Sequence, residues 1–391
     1  MSMNSIATVP PAPRAARRTS ASERLARRLG LRLVTPEELT IVRRRHGRGF
    51  AYALADGSAV RDRALVRRLD RLAVPPAYVD ACYCADARAH LQATWRDAAG
   101  RLQYRYHADW EQVREDRRLR RLARLAATLP RIRRAVTREL AQREPTRAFA
   151  LAAVVELVAV SGIRAGRESY ARASGTRGAA TLLKSNVTVS NGRVMLAFRA
   201  KGGKAVRKEL RAPRLAAAIK VLRTLPGRRL FQYRNGGGEV RPVRARDVNE
   251  FLRDTAGLAI SLKDFRTLTA SAAVIDLLAR TEPASSARGR KKQVLAAVRS
   301  AADKLDNTPA ICRRSYIPNP VVAAFENGSL QRMRARASRP PGGERLLSEV
   351  LSTAKPTTVR RRPDLKTQLE QSVKRLARGG GSAGRSTGAV G

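Results

Sequence analysis

The stretch RAFALAAVVELVAV, residues 147–160, constrains the fold more than any other part of the chain. At helical spacing it is apolar on most sides, and a helix of that kind has to be covered all round by its own domain. Thr146 before it suits an N-cap, and Ser161-Gly162 after it is a stop. No apolar run in the chain reaches the roughly 18 residues of a membrane span. This helix is therefore expected at the centre of a soluble helical domain.

The sequence pattern changes on either side of Trp110. Between residues 31 and 110 short alternating runs predict strands: GFAYAL at 49–54, a Tyr78-Val79/Cys82-Cys84 segment, and 91–95 and 102–107 about a turn at 97–100. Asp56-Gly57 is a hairpin signal, and 62–72 reads as a short helix. From Trp110 leucines at 119, 122, 125 and 129 set a helical period; Pro130 is expected to interrupt it before 132–143 resumes. A second β patch spans 181–211, with Asn191-Gly192 as its turn. Helices follow at 213–225, 243–256, 261–278 and 292–305, with an apolar insertion at 230–233 before an NGGG loop. The fold class is α+β: a small β-rich N-terminal domain, 31–110, then a larger, mainly helical domain, 111–330, with a β-hairpin patch. Residues 1–30 read as a disordered basic arm and 331–391 as a basic flexible tail, with transient helices at 344–352 and 364–376.

Charge narrows the partner. Lys+Arg is 79 against 32 Asp+Glu, a net +47, far beyond what solubility needs. A polyanion is the expected partner, DNA or RNA before an anionic membrane. Only 12 of the 79 cations are lysines, the first being Lys184. Arginine stays protonated and lysine can release a proton, so a cationic proton donor has to be found among those few. Three histidines, all in the first third, and three cysteines without metal spacing argue against a zinc site or a histidine triad. The cysteine usage points to a reducing compartment, most simply the cytoplasm. The N-terminus lacks a secretory core, and its Arg/Ser richness also resembles a transit peptide.

Candidate functional residues are few. In LDNTPAICRRSY, Arg313 and Arg314 precede Tyr316, and no acid follows Asp306. A phenol of pKa about 10 is a poor nucleophile unless cations favour its phenolate, and cations also draw a phosphodiester. In isolation the stretch fits a surface tyrosine of a basic protein as well. Arg164, just past the central helix and beside Gly166, is well placed to be held firmly or merely to cap carbonyls. Lys201 sits at the tip of a KGGK turn. Lys263 and Arg266 in KDFRT share one helix face. In QYRYH, alternation puts Gln103, Arg105 and His107 on one face and Tyr104 and Tyr106 on the other, suited to nucleic-acid contact or to a core tyrosine pair.

Together these pieces resemble the type IB DNA topoisomerases, in particular their small, poxvirus-like bacterial branch. The likeness covers residues 31–330 and rests on six motifs in order: 47–52, QYRYH, GIRAGRESY at 162–170, FRAKGGK at 198–204, KDFRT at 263–267, and 307–316. It implies that Tyr316 is the nucleophile, that Arg164 and Arg266 hold the non-bridging phosphate oxygens, and that Lys201 is the general acid. Asn307 stands where many members carry histidine, and an amide donates without titrating. Lys263 matches a supporting lysine at the cleavage site, and Gln103, Tyr104 and Tyr106 match DNA-contacting positions. The implied activity is relaxation of supercoiled DNA through a 3′-phosphotyrosyl intermediate, without ATP, metal or other cofactor. The implied enzyme is a monomer clamping duplex DNA, cytoplasmic and nucleoid-associated. A tyrosine recombinase shares the chemistry but typically has histidine where Lys263 stands and begins with a helical domain. A non-enzymatic basic DNA-binding protein accounts for the charge alone.

Overall fold

A computed structural model describes residues 20–337 and 341–354. The chain divides into two units, with the boundary between Arg117 and Arg118.

The first unit is built on a five-stranded antiparallel sheet of order β2-β1-β3-β4-β5. Its strands are β1 (Ile41–His46), β2 (Gly49–Ala53), β3 (Val79–Tyr83), β4 (Leu91–Arg96) and β5 (Leu102–Tyr106). Ile41, Tyr52, Ala81, Tyr83, Ala93 and Trp95 turn inward and pack with Leu69 of α2 (Arg63–Arg71). Asp62 caps that helix by accepting from the amides of Ala64 and Leu65. The turn between β1 and β2 is Gly47-Arg48, where Gly47 takes φ +52°. Asp56-Gly57 does turn the chain, but it closes only a single bridge between Ala53 and Ala59.

Two expectations at the ends of the chain need correction. The segment read as a disordered arm contains α1 (Ala21–Arg28), started by a Ser20/Glu23 capping box. Leu25, Ala26 and Leu29 bury against Leu31 and Val113, and this packing outweighs the arm's polar composition. The rest of that arm, 1–19, lies outside the described residues. The segment read as a flexible tail continues α12 (Ser329–Ala335) to Ala335, and within it α13 (Gly343–Thr353) buries Leu346, Leu347, Val350 and Leu351. The spacing of these four leucine and valine side chains gives α13 one apolar face that joins the main core, so it is a packed helix and not a transient one. The proposed helix at 364–376 lies outside the described residues.

In the second unit the apolar helix α4 (Arg147–Ser161) is central: Phe149 to Val155, Leu157 and Val158 are all buried. Thr146 caps it through the Phe149 amide at 3.2 Å, and Gly162 ends it at φ +63°. Around it lie α6 (Pro213–Arg223), α7 (Ala245–Ala256) and α8 (Leu262–Ala279). A three-stranded antiparallel sheet, β6 (Val187–Ser190), β7 (Arg193–Arg199) and β8 (Ala205–Arg211), adds Val187, Val194, Leu196, Phe198 and Val206 to the same core. The NGGG segment joins a small hairpin, β9 (Gln232–Arg234) and β10 (Val240–Pro242). Pro130 does not divide the helix that contains it: α3 runs from Trp110 to Ala141. Leu125, Leu129, Ile132 and Val136 are buried on both sides of the proline, and that packing tolerates the lost backbone hydrogen bond. The unit also contains α5 (Glu168–Ser174), α9 (Ala287–Lys304), α10 (Pro309–Tyr316) and α11 (Asn319–Glu326). The α+β class, with a β-rich first part and a larger helical part, is as the sequence led us to expect.

Candidate active site

Three chain segments of the second unit meet around Tyr316. The first leaves α4. Gly162 turns it, and Arg164 follows in irregular backbone held by 178–180: its carbonyl accepts from Ala179 at 2.8 Å, and that of Ala165 from Ala180 at 2.8 Å. Gly178 permits this approach, since a Cβ there would lie 2.5 Å from the Arg164 carbonyl oxygen. The second segment is the start of α8, where Ser261 and Asp264 form a capping box and Arg266 enters the core, 4% exposed. The third is α9 to α10. Asp306 adopts φ +53°, Asn307 follows, and Thr308 caps α10 through the Ile311 amide, with Pro309 at the first helical position. Two turns later Tyr316 is 9% exposed, and its carbonyl accepts from Ser271 Oγ at 2.7 Å.

The polar groups interlock. Arg266 donates to the Gly162 carbonyl, and from Nη2 to the Leu305 carbonyl at 3.1 Å, so one guanidinium joins the exit of α4 to the exit of α9. Its Cζ lies 5.7 Å from the centre of the Tyr316 ring. Arg164 Nη2 donates to Asn307 Oδ1 at 3.0 Å. A guanidinium can only donate, so this bond fixes the amide with Nδ2 turned away from Arg164. Nδ2 of Asn307 and Nε of Arg266 are buried and meet no protein acceptor. A buried donor left unpaired costs on the order of 1–3 kcal/mol, so a pair of them marks a place shaped for an acceptor from outside.

Electrostatics lead to the same place. The Arg164 guanidinium has its pKa lowered, first by burial and second by the charge of Arg266; Tyr316 and Asp306 oppose this. Two cations held together out of water favour an anion between them. Cys312, one turn before Tyr316, is a buried thiol whose pKa burial pushes up, so it stays protonated and inert.

The structure thus brings Arg164, Arg266, Asn307 and Tyr316 together. Lys201 is exposed on a single 3-10 turn, Lys201–Gly203, at the tip between β7 and β8. Lys263 is exposed in the first turn of α8. The remaining predicted residues belong to β5 of the first unit. Gln103 donates to Asp97 at 2.8 Å. Tyr104, 46% exposed, stacks on Tyr106 with ring centroids 6.0 Å apart, and Tyr106 also packs against His90 and Trp110. Local sequence pattern assigns Lys204 only to a turn and gives Lys208, Asp306 and Ser271 no functional part. Scarcity of lysine in this arginine-rich chain was the signal for the first two; no sequence signal pointed to Ser271.

Comparison with known proteins supplies the family. Residues 107–327, more than half of the 391-residue chain, match the family model for the catalytic core of eukaryotic DNA topoisomerase I. Residues 49–97 match the model for the N-terminal domain of bacterial DNA topoisomerase IB. The chain belongs to the type IB DNA topoisomerases. A DNA topoisomerase 1B of Acanthamoeba polyphaga mimivirus is 28% identical over 294 residues, covering 73% of this chain and 88% of the viral protein. As a type IB topoisomerase the protein is an isomerase that acts on DNA. Among the described residues no helix is long and apolar enough to cross a membrane.

Proposed function

We propose that this topoisomerase relaxes supercoils by transient cleavage of one strand, with Tyr316 as the nucleophile. The observation that carries the reading is the meeting of Arg164, Asn307 and Arg266 at the Tyr316 ring. The tyrosine oxygen attacks phosphorus in line, a 3′-phosphotyrosyl ester forms, and the 5′ oxygen leaves. Negative charge gathers on the equatorial oxygens in the transition state. Arg164, Arg266 and the Asn307 amide donate to them, and fixed donors of this kind contribute a large share of such rate accelerations. Lys201 protonates the departing 5′ oxygen, a role a guanidinium fills poorly. The ester conserves the energy of the broken bond, so resealing calls for no ATP, and no metal enters the scheme. Rotation of the free end between the two steps releases torsion.

Duplex DNA is the expected substrate, bound by a monomer. Lys263, Gln103, Tyr104 and Tyr106 serve as DNA contacts, and the net charge of +47 adds sequence-independent attraction to phosphate. A cytoplasmic, nucleoid-associated enzyme is consistent with this. The test is plasmid relaxation in EDTA without ATP, with denaturing gels of end-labelled duplex. Wild type should relax the plasmid and become attached to 3′ ends; Tyr316→Phe should do neither while binding duplex normally. Relaxation by Tyr316→Phe would remove the nucleophile from this scheme.

A further inference from the structure

The hairpin that carries Lys201 is tied to the segment that carries Asn307. Lys204 Nζ donates to the Asp306 carbonyl at 3.0 Å. Lys208 Nζ lies 3.1 Å from the Asp306 carboxylate and also donates to the Lys304 carbonyl. The Lys208–Asp306 pair is sheltered, 14% exposed for Lys208 and 26% for Asp306, whereas Lys204 is exposed. Asp306 holds a left-handed backbone, φ +53°, which puts its carboxylate on the hairpin and its carbonyl on the neighbouring lysine. The tip itself is closed by the Ala200 amide on the Lys204 carbonyl at 2.7 Å and by the Gly203 amide on the Ala200 carbonyl at 3.0 Å. Lys201 projects from this braced tip and is exposed.

We propose that Asp306, with Lys208 and Lys204, is a latch that positions Lys201 for proton donation. Asp306 touches no reacting atom; it is a positioning residue. The inference rests on the reading of Lys201 as general acid. In that step Tyr316 releases its phenolic proton to water, its oxygen–phosphorus bond forms and the phosphorus–O5′ bond breaks. The bonding pair goes to O5′, and the Lys201 ammonium supplies its proton. A tip containing two glycines does not by itself hold a long lysine side chain to a fraction of an ångström, and proton transfer needs hydrogen-bond reach. The two lysines on Asp306 supply that constraint from the same segment that places Asn307.

The leaving group separates this role from the others. A sulfur in place of the scissile 5′ oxygen leaves as a thiolate and needs little help from an acid. We expect single-turnover cleavage of an ordinary duplex to fall about 10²-fold in Asp306→Ala and in Lys208→Ala, within the range for loss of general acid catalysis. With the 5′-sulfur duplex both should return to within a few-fold of wild type, as should Lys201→Ala, whereas Asn307→Ala should stay slow. Asp306→Asn keeps a residue that tolerates the left-handed backbone while losing the charge, and it should share the signature even if the alanine variant folds poorly. Wild-type rates for the Asp306 variants on oxygen would overturn the latch. So would a defect that persists on sulfur while Lys201→Ala recovers. If Lys201→Ala itself fails to recover, the general-acid reading falls first and the latch with it.

Discussion

Arg164 and Asn307, 143 positions apart in the chain, are joined by a hydrogen bond of 3.0 Å from Nη2 to Oδ1. The bond leaves the Asn307 Nδ2 buried and without a protein acceptor. One amide therefore anchors a guanidinium with its oxygen and offers its N–H to a ligand. Asn307→Ala loses both, and cleavage should slow about 10²-fold, as for loss of one oxyanion donor. Asn307→Asp keeps the acceptor for Arg164 but sets a carboxylate against the phosphate, so it should be slower still. Single-turnover cleavage of the three proteins is the check, and equal rates for alanine and aspartate would remove the donor role.

Arg266 is both a brace and a donor. Its two carbonyl partners, on Gly162 and Leu305, close the ends of α4 and α9. Lysine keeps the charge but cannot span both carbonyls. Arg266→Lys should lower relaxation by at least about 10²-fold and destabilise the protein by roughly 1.5–3 kcal/mol, the scale of hydrogen bonds to a charged group. Plasmid relaxation and urea unfolding measure the two effects separately.

Gly178 sets the depth of Arg164. An added Cβ would sit 2.5 Å from the Arg164 carbonyl oxygen and 2.5 Å from the Gly166 amide nitrogen. Gly178→Ala must push this backbone aside, at a cost of about 1–3 kcal/mol typical of overpacking. Displacement of Arg164 should reduce the cleavage rate more than DNA affinity. Cleavage at saturating enzyme, set beside a binding isotherm, checks this.

The first unit should lose stability in mild acid. Burial is the main cause that lowers the pKa of His90 and of His107 below the ordinary 6.5. The Nδ1 of His90 accepts the Val34 amide at 3.2 Å, and that of His107 the Asp109 amide at 3.1 Å, bonds that only an unprotonated nitrogen can make. Their contribution is therefore complete above pH 6.5 and is lost as pH falls from there through the lowered folded-state values. The carboxylates held down by arginines, such as Asp86 and Asp97, titrate below this window. The chain's two tryptophans, Trp95 and Trp110, both lie in this unit, so fluorescence-detected melting follows it selectively. Replacing both histidines with asparagine, whose oxygen can accept the same amides, should flatten the slope just below pH 6.5.

Much of this protein could be read along the chain because its signals are local. The apolar wrap of α4 required a centre, and the Asn191-Gly192 turn and its alternating flanks gave β6 and β7. The clustering of Arg, Lys and Tyr in ordered motifs pointed to phosphate chemistry, because residue type alone limits which groups can attack, donate or stay charged. Packing decided the rest. Pro130 stays within α3 and the leucines of α13 join the core because burial energy comes from distant neighbours that a local pattern does not contain. The same holds for the hydrogen bond from Arg164 to Asn307 and for the grip of Lys204 and Lys208 on Asp306. Each joins residues that no spacing rule relates, and only the folded chain brings them within about 3 Å, where hydrogen bonds form.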